Sequence, residues 1–206
     1  AMIVPVRIEH VEHPENQEVV YALLDPQSDA CFIKDSVAAR IEATGENIFL
    51  ELKTMAGETT MKTRSMQDLI VRPIDNDTEM KMPVMYSRQD IPADRHLIPR
   101  AETTRKWPHL KRVAKQLPPY FPGAEIGLLI GMNCPRAIKP RDIVPGDDED
   151  PWAVKTDLGW SVVGPVQGTS TESAACRYVS GGERRETRHF AFRVHTQEAN
   201  MMEKAR

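Results

Sequence analysis

Apolar and polar residues alternate along much of this chain with a period of two, and that period predicts strands. Ile3 to Ile8 reads as the first, with isoleucine and valine in near alternation. Glu12 to Gln17 is polar and turn-like, and Glu18 to Leu24 is a second strand, apolar enough to be central. At Lys34 to Ala43 the period changes. Val37, Ala38 and Ile41 fall on one side of a short helix, with Asp35 or Ser36 as its cap. Asn47 to Lys53 and Thr59 to Arg64 read as a hairpin joined by Met55-Ala56-Gly57-Glu58, with Gly57 where a positive φ is wanted. Asp68 to Pro73 and Met80 to Tyr86 follow as strands on either side of an Asp75-Asn76-Asp77 turn.

The texture changes at Ser87. Between there and Ala124 lies a Pro-rich insert with one helical segment, where Trp107, Leu110, Val113, Ala114 and Leu117 recur at helical spacing and Pro108 suits a first turn. Arg105, Lys106, Lys111, Arg112 and Lys115 fall on its opposite face, and a solvated helix face is the simplest account of them. Glu125 to Gly131 is a buried strand ending in glycine. Asn133 to Ile138 suits one helical turn, Gly146 to Asp150 an acidic loop, and Trp160 to Val166 a last strand. Beyond Val166, GTSTES reads as a linker, HFAFRVHT as an edge strand and TQEANMMEKAR as a helix. Many short strands with few helices predict an all-β fold with a helical insert, a small barrel or sandwich. The compact domain covers residues 1–166, and 167–206 form a linker and tail.

Composition adds mainly exclusions. Lys and Arg number 27 against 30 Asp and Glu, so the net charge of -3 gives no global reason to expect nucleic acid as a partner. No apolar run approaches the roughly 20 residues needed to cross a bilayer. Cys31, Cys134 and Cys176 are far apart and form no C-x-x-C pair, which suits reduced thiols in an intracellular, cytoplasmic setting. His10, Glu12 and His13 lie close in sequence, but on a strand His13 points away from the other two, so no metal is expected there. No cofactor is implied.

The stretch YALLDPQSDACFI, Tyr21 to Ile33, carries the candidate chemistry. An apolar strand runs into Asp25, and burying a lone charge is costly. Asp25 could cap a turn by accepting N–H groups from Gln27 or Ser28. On this signal alone the cap is the simpler reading, and a reactive carboxylate is the alternative. The order of an apolar-apolar-Asp loop with Asp29 and Phe32-Ile33 behind it, a glycine-tipped hairpin, and Leu128-Leu129-Ile130-Gly131 resembles the retropepsins, the aspartic peptidases of retroviruses and retrotransposons. The chain is most similar to the retropepsin-like domain of BEL/Pao-type retrotransposon polyproteins. That resemblance is carried by LLDPQSDACFI, LIVRPI, MPVMYSR, IPRAETTRKWPHL, GLLIGMNCPRAI and TDLGWSVVGPV, from roughly Val19 to Val166.

The resemblance implies a closed β-barrel of acid-protease type, a polypeptide substrate, and polyprotein processing beside neighbouring domains such as a reverse transcriptase. It implies Asp25 as the catalytic residue, Asp29 against the substrate backbone, and Met55, Ala56 and Gly57 as a flap tip. An aspartic peptidase needs two carboxylates sharing one proton. Asp157-Leu158-Gly159 does not supply the second, because Lys155 and Thr156 precede it where an apolar strand should be. The dyad would then come from a homodimer, one Asp25 per subunit. The loop departs from the family's Asp-Thr-Gly or Asp-Ser-Gly: Pro26, Gln27 and Ser28 follow Asp25. Pro26 has neither hydroxyl nor N–H. A catalytically degenerate module, kept for dimerisation or scaffolding, is therefore the alternative.

Overall fold

The computed structural model describes residues 1–54, 57–165 and 195–198, the last four as backbone only. β1 (Met2–His10) and β2 (His13–Leu24) form a long hairpin in register from Met2↔Leu24 to Ile8↔Glu18. The polar stretch from His13 onward, expected as a turn, continues this ladder, and the turn itself is confined to Val11 and Glu12. β3 (Cys31–Lys34) leads into α1 (Asp35–Arg40). Neither Asp35 nor Ser36 caps that helix: Lys34 occupies the cap position, Asp35 pairs with Arg64, and the Ser36 hydroxyl meets Glu125. β4 (Gly45–Thr54) and β5 (Gly57–Met66) are the expected hairpin, followed by β6 (Leu69–Pro73). The expected strand from Met80 to Tyr86 is two pieces, β7 (Met80–Lys81) and β8 (Met85–Arg88). Pro83, between them, has no N–H to carry a ladder on.

The insert contains short helical pieces rather than one helix. These are a 3₁₀ turn at Arg95–Leu97, α2 (Ala101–Thr104), a second 3₁₀ turn at Pro108–Leu110 and α3 (Lys111–Ala114). β9 (Ile126–Ile130) and α4 (Pro135–Ile138) follow. A small antiparallel sheet comes next, made of β10 (Asp142–Val144), β11 (Trp152–Thr156) and β12 (Gly159–Val163). Its first two strands were not foreseen. β13 (His195–Glu198) pairs with the outer edge of β4, so His195 and Thr196 are the end of the expected edge strand, while Gln197 and Glu198 are strand where a helix was expected. The rest of that expected helix, the GTSTES linker and most of the HFAFRVHT segment lie outside the described residues.

The main sheet runs β13-β4-β5-β8-β3-β9-β2-β1-β6-β7. It is a large curled mixed sheet forming a half-barrel, mostly β as expected, and among the described residues its two end strands are not joined, so it is open where a closed barrel was expected.

Both faces of the sheet centre are covered, which explains why its strands read as apolar runs rather than strict alternation. On one face Val20, Ala22, Leu24, Ile33, Leu128 and Ile130 pack with Val37, Ala38 and Ile41 around α1. On the other, Ile3, Tyr21, Leu23, Phe32, Leu129, Leu50 and Leu52 pack with Ile91 and Ile98 of the insert. The Tyr21 hydroxyl accepts the Phe121 N–H at 2.9 Å and ties down the end of the insert. A third cluster joins Leu110 and Val113 to Val144, Ala153, Trp160 and Val162. The apolar side of the insert's helical segment therefore packs on the small sheet.

Leu110 is fully buried in that cluster, whereas Trp107 is only partly buried. Leu110→Ala should lower unfolding stability by about 2–5 kcal/mol, and Trp107→Ala should cost less than Leu110→Ala. Urea denaturation of both variants checks the order.

Candidate active site

Asp25 stands where β2 ends. Its N–H donates to the Ile130 carbonyl at 2.9 Å, its carbonyl accepts the Ser28 N–H at 3.2 Å, and its Oδ1 accepts the Gln27 N–H at 2.9 Å. The tripeptide after Asp25 thus builds its own turn. An aspartate at the first position followed by proline is a favourable turn sequence, since proline presets φ at the second. Gln27 does not adopt a positive φ, so this turn makes no demand for glycine there. Asp25 is half-buried, Pro26 and Gln27 are exposed, and Ser28 is buried. The Ser28 hydroxyl donates to the Ala30 carbonyl at 2.8 Å, and its own carbonyl accepts the Met132 N–H at 2.7 Å.

What holds the loop is β9. It lies between β2 and β3, parallel to the first and antiparallel to the second, although those two strands are joined in sequence by the Asp25 loop. At the end of β9, Gly131 passes so close to the loop that a Cβ there would stand 2.4 Å from the Ala30 carbonyl oxygen and 2.6 Å from that of Ser28. The Gly131 N–H points to the Cys31 sulfur at 3.4 Å, and that thiol meets Asn133 Oδ1 at 3.0 Å. Burial pushes the Cys31 thiol up to about 12, so it is a packed, protonated group at neutral pH and no nucleophile.

At its other end β9 is anchored through Glu125. Its carboxylate meets Lys34 at 3.0 Å, Arg40 at 2.8 Å and Ser36 at 3.0 Å. Burial, the largest single influence, would raise this carboxyl, but the hydrogen bonds from Lys34, Arg40 and Ser36 outweigh it and hold the group below its ordinary value.

The remaining sequence-predicted residues are less closely grouped. Asp29 lies exposed in the loop. Gly57 has the expected positive φ of 123°. Met55 and Ala56, the other two flap residues, lie outside the described residues. Asp157 belongs to the turn between β11 and β12 and pairs with Arg141 at 2.7 Å and Arg136 at 3.2 Å, which hold its carboxyl below the usual range. It has no part in the Asp25 site.

A cleft of about 630 Å³ opens at Asp25. Leu23, Leu24, Asp25, Pro26 and Gln27 form its floor, with Pro92, His96 and Leu97 of the insert and Trp152 and Val163 of the small sheet as walls. These wall residues were not singled out from sequence. The apolar run Trp152-Ala153-Val154 was the available signal for the second sheet. No helix among the described residues is long and apolar enough to cross a membrane. No protein-family model, curated protein or solved structure matches the chain.

Two outcomes follow. Gly131→Ala forces the loop and β9 apart at backbone atoms, and should cost about 1–3 kcal/mol in a denaturant titration. Glu125→Gln should be less stable than the wild type at neutral pH. The carboxyl is lowered in the folded state, so its contribution is fully present above the ordinary carboxylate range near pH 4–5 and is lost as pH falls through the folded value. Thermal melts from about pH 7 to 3 should therefore show the gap between the two proteins closing on the acid side.

Proposed function

We propose that this chain is a retropepsin-like aspartic endopeptidase domain of a BEL/Pao-type retrotransposon polyprotein, working as a homodimer with one Asp25 from each subunit. The observation that supports this most is β9: an apolar strand ending in Gly131 threads between the two strands that flank the Asp25 loop and bonds its Ile130 carbonyl to Asp25. This fixes a half-buried carboxylate at the base of a cleft. One carboxylate oxygen is held by Gln27, and Oδ2 accepts no hydrogen bond among the described residues.

In the dyad, two such carboxylates share a proton. One takes a proton from a water molecule as that water attacks the substrate carbonyl, and the other gives its proton to the carbonyl oxygen. The amide nitrogen is protonated as the C–N bond breaks. Asp29 and the hairpin tip at Met55, Ala56 and Gly57 would bind the peptide backbone and exclude water. The setting would be the cytoplasm or the element's own particle, with neighbouring polyprotein domains as substrate and partners.

One observation favours a second reading. Asp25 Oδ1 caps its own turn through the Gln27 N–H, and the Asp25 carbonyl accepts the Ser28 N–H, without any contribution from another subunit. A domain kept for dimerisation or scaffolding needs no more than this.

Cleavage of a polyprotein-junction peptide separates the two readings. Activity should appear on the acidic side between about pH 4 and 7, because the dyad works only with one shared proton. Asp25→Asn should lower the rate by roughly 10²–10⁴-fold. Pro26→Thr combined with Gln27→Gly, which installs the Asp-Thr-Gly pattern of the retropepsins with its hydroxyl and glycine, should raise activity and dimer affinity together. Unchanged cleavage by Asp25→Asn removes the peptidase reading. A proven dimer of the double variant that cuts nothing leaves the scaffold.

A further inference from the structure

We propose that the cleft between β5 and β8 is a docking site for an acidic peptide segment, with Arg88 holding the carboxylate of an aspartate or glutamate side chain. This cleft shares no lining residue with the one at Asp25, and its use does not depend on the peptidase reading.

The cleft exists because two strands part. β5 and β8 pair only at Ser65↔Tyr86 and Met66↔Met85. Beyond that point a cleft of about 510 Å³ opens, with Met61 to Arg64 on one side and Ser87 to Asp90 on the other. The Thr63 hydroxyl donates to the Ser87 carbonyl at 2.7 Å, and the Arg64 N–H donates to the Ser87 hydroxyl at 3.3 Å. Side chains rather than a ladder therefore join the two strands here.

Charge in this cleft is unbalanced at one place. Its two carboxylates are engaged: Asp35 pairs with Arg64 at 2.9 Å, and Asp90 with Lys34 at 3.3 Å. Arg88 lies over the Phe32 ring, 5.5 Å from its centre, and among the described residues its guanidinium makes no ion pair and no hydrogen bond. It is half-buried. Burial pulls it below its ordinary value, and the nearby Asp90 charge offsets only part of that. An unpaired, partly desolvated cation is unfavourable unless something pairs with it. A guanidinium over an aromatic face still offers its fork of N–H donors, which matches a planar carboxylate in two parallel hydrogen bonds. Asn47 and Gln89 add exposed neutral amides to the lining. The other unpaired cation there, Lys62, is exposed. One half-buried cation balances one charge, which fits a carboxylate better than a dianionic phosphate.

The backbone argues for a peptide rather than a small free acid. β4 pairs with one edge of β5 along its whole length, but on the other edge Glu58 to Thr63 meet no strand among the described residues. Such an edge presents N–H and C=O groups to an extended segment, which binds it by strand addition. Met61 to Thr63, part of that edge, line the same cleft as Arg88.

The test titrates the full chain with the blocked peptide Thr-Val-Glu-Val-Thr, its glutamine and phosphoserine analogues, and acetate alone, following the arginine Nε–H and backbone amide signals by NMR. The glutamate peptide should bind roughly tenfold or more tightly than the glutamine peptide, the range of a charge-assisted hydrogen bond. It should move the Arg88 Nε–H signal and the amides of Met61 to Thr63. Arg88→Gln removes no partner from the fold, so it should melt close to the wild type and bind the two peptides equally. Arg88→Lys, which keeps the charge but not the fork, should keep only a small part of the preference. Arg112→Gln, at an exposed cation already paired with Asp142, should leave it unchanged. If an Arg88 variant failed to fold, the wild-type signal would still decide: it must move with the glutamate peptide and not with the glutamine peptide. Equal binding of those two peptides, or a preference that survives Arg88→Gln, overturns the proposal. Tighter binding of the phosphoserine peptide would make this a phosphate site, and acetate binding as well as the peptide would make it a small-acid site; either also overturns it.

Discussion

The rest of the structure depends on one strand being threaded between two others. β9 lies between β2 and β3, and the loop joining those strands carries Asp25. Such a strand is buried on both faces, so its sequence is a run of apolar residues, Ile126-Gly127-Leu128-Leu129-Ile130, with no polar side to spare. The approach is tight enough that Gly131 leaves no room for a Cβ against the loop carbonyls. With β9 in place, the Asp25 N–H is bonded, the loop carbonyl of Ser28 is bonded, and Cys31 is packed beneath. The long-range pairing also implies late assembly: β9 can join β2 only after the whole insert has closed a loop between them, which is entropically slower than forming the two hairpins.

The same strand gives the Asp25 loop its geometry irrespective of what the loop does. Asp25-Pro26-Gln27-Ser28 closes on itself through the aspartate, so this turn needs neither a hydroxyl at position 26 nor a glycine at position 27. Among the described residues lining the cleft, Asp25 is the one carboxylate. Catalysis would therefore depend on how firmly a second subunit is held across the loop, and this is the point at which a peptidase and a scaffold diverge.

Much of this was legible in the sequence because it is local. The hairpin at Gly57, the apolar strand before Asp25 and the glycine after Ile130 are all short-range patterns with one physical reading. The misses have a common cause. Trp107 to Leu117 has helical spacing, but Pro108 and the turn before it break the segment into short pieces whose apolar side meets the small sheet. The first two strands of that sheet were missed because β10 is only three residues long and β11 follows an acidic loop. Trp152 comes from β11, so that part of the cleft wall was missed with it. An open barrel was not legible either, because closure depends on which edges meet, and strand patterns do not encode that. The Asp25 turn itself was readable in both its forms, as a cap and as a candidate acid, and local sequence does not choose between them.

The account rests most directly on the relation between two copies of Asp25. A crystal structure of the chain at mildly acidic pH, with a non-cleavable peptide, measures it. The account predicts a two-fold dimer in which the Asp25 carboxylates face each other about 3 Å apart, close enough to share a proton. A monomer, or a dimer formed through another face with the two carboxylates far apart, would contradict it.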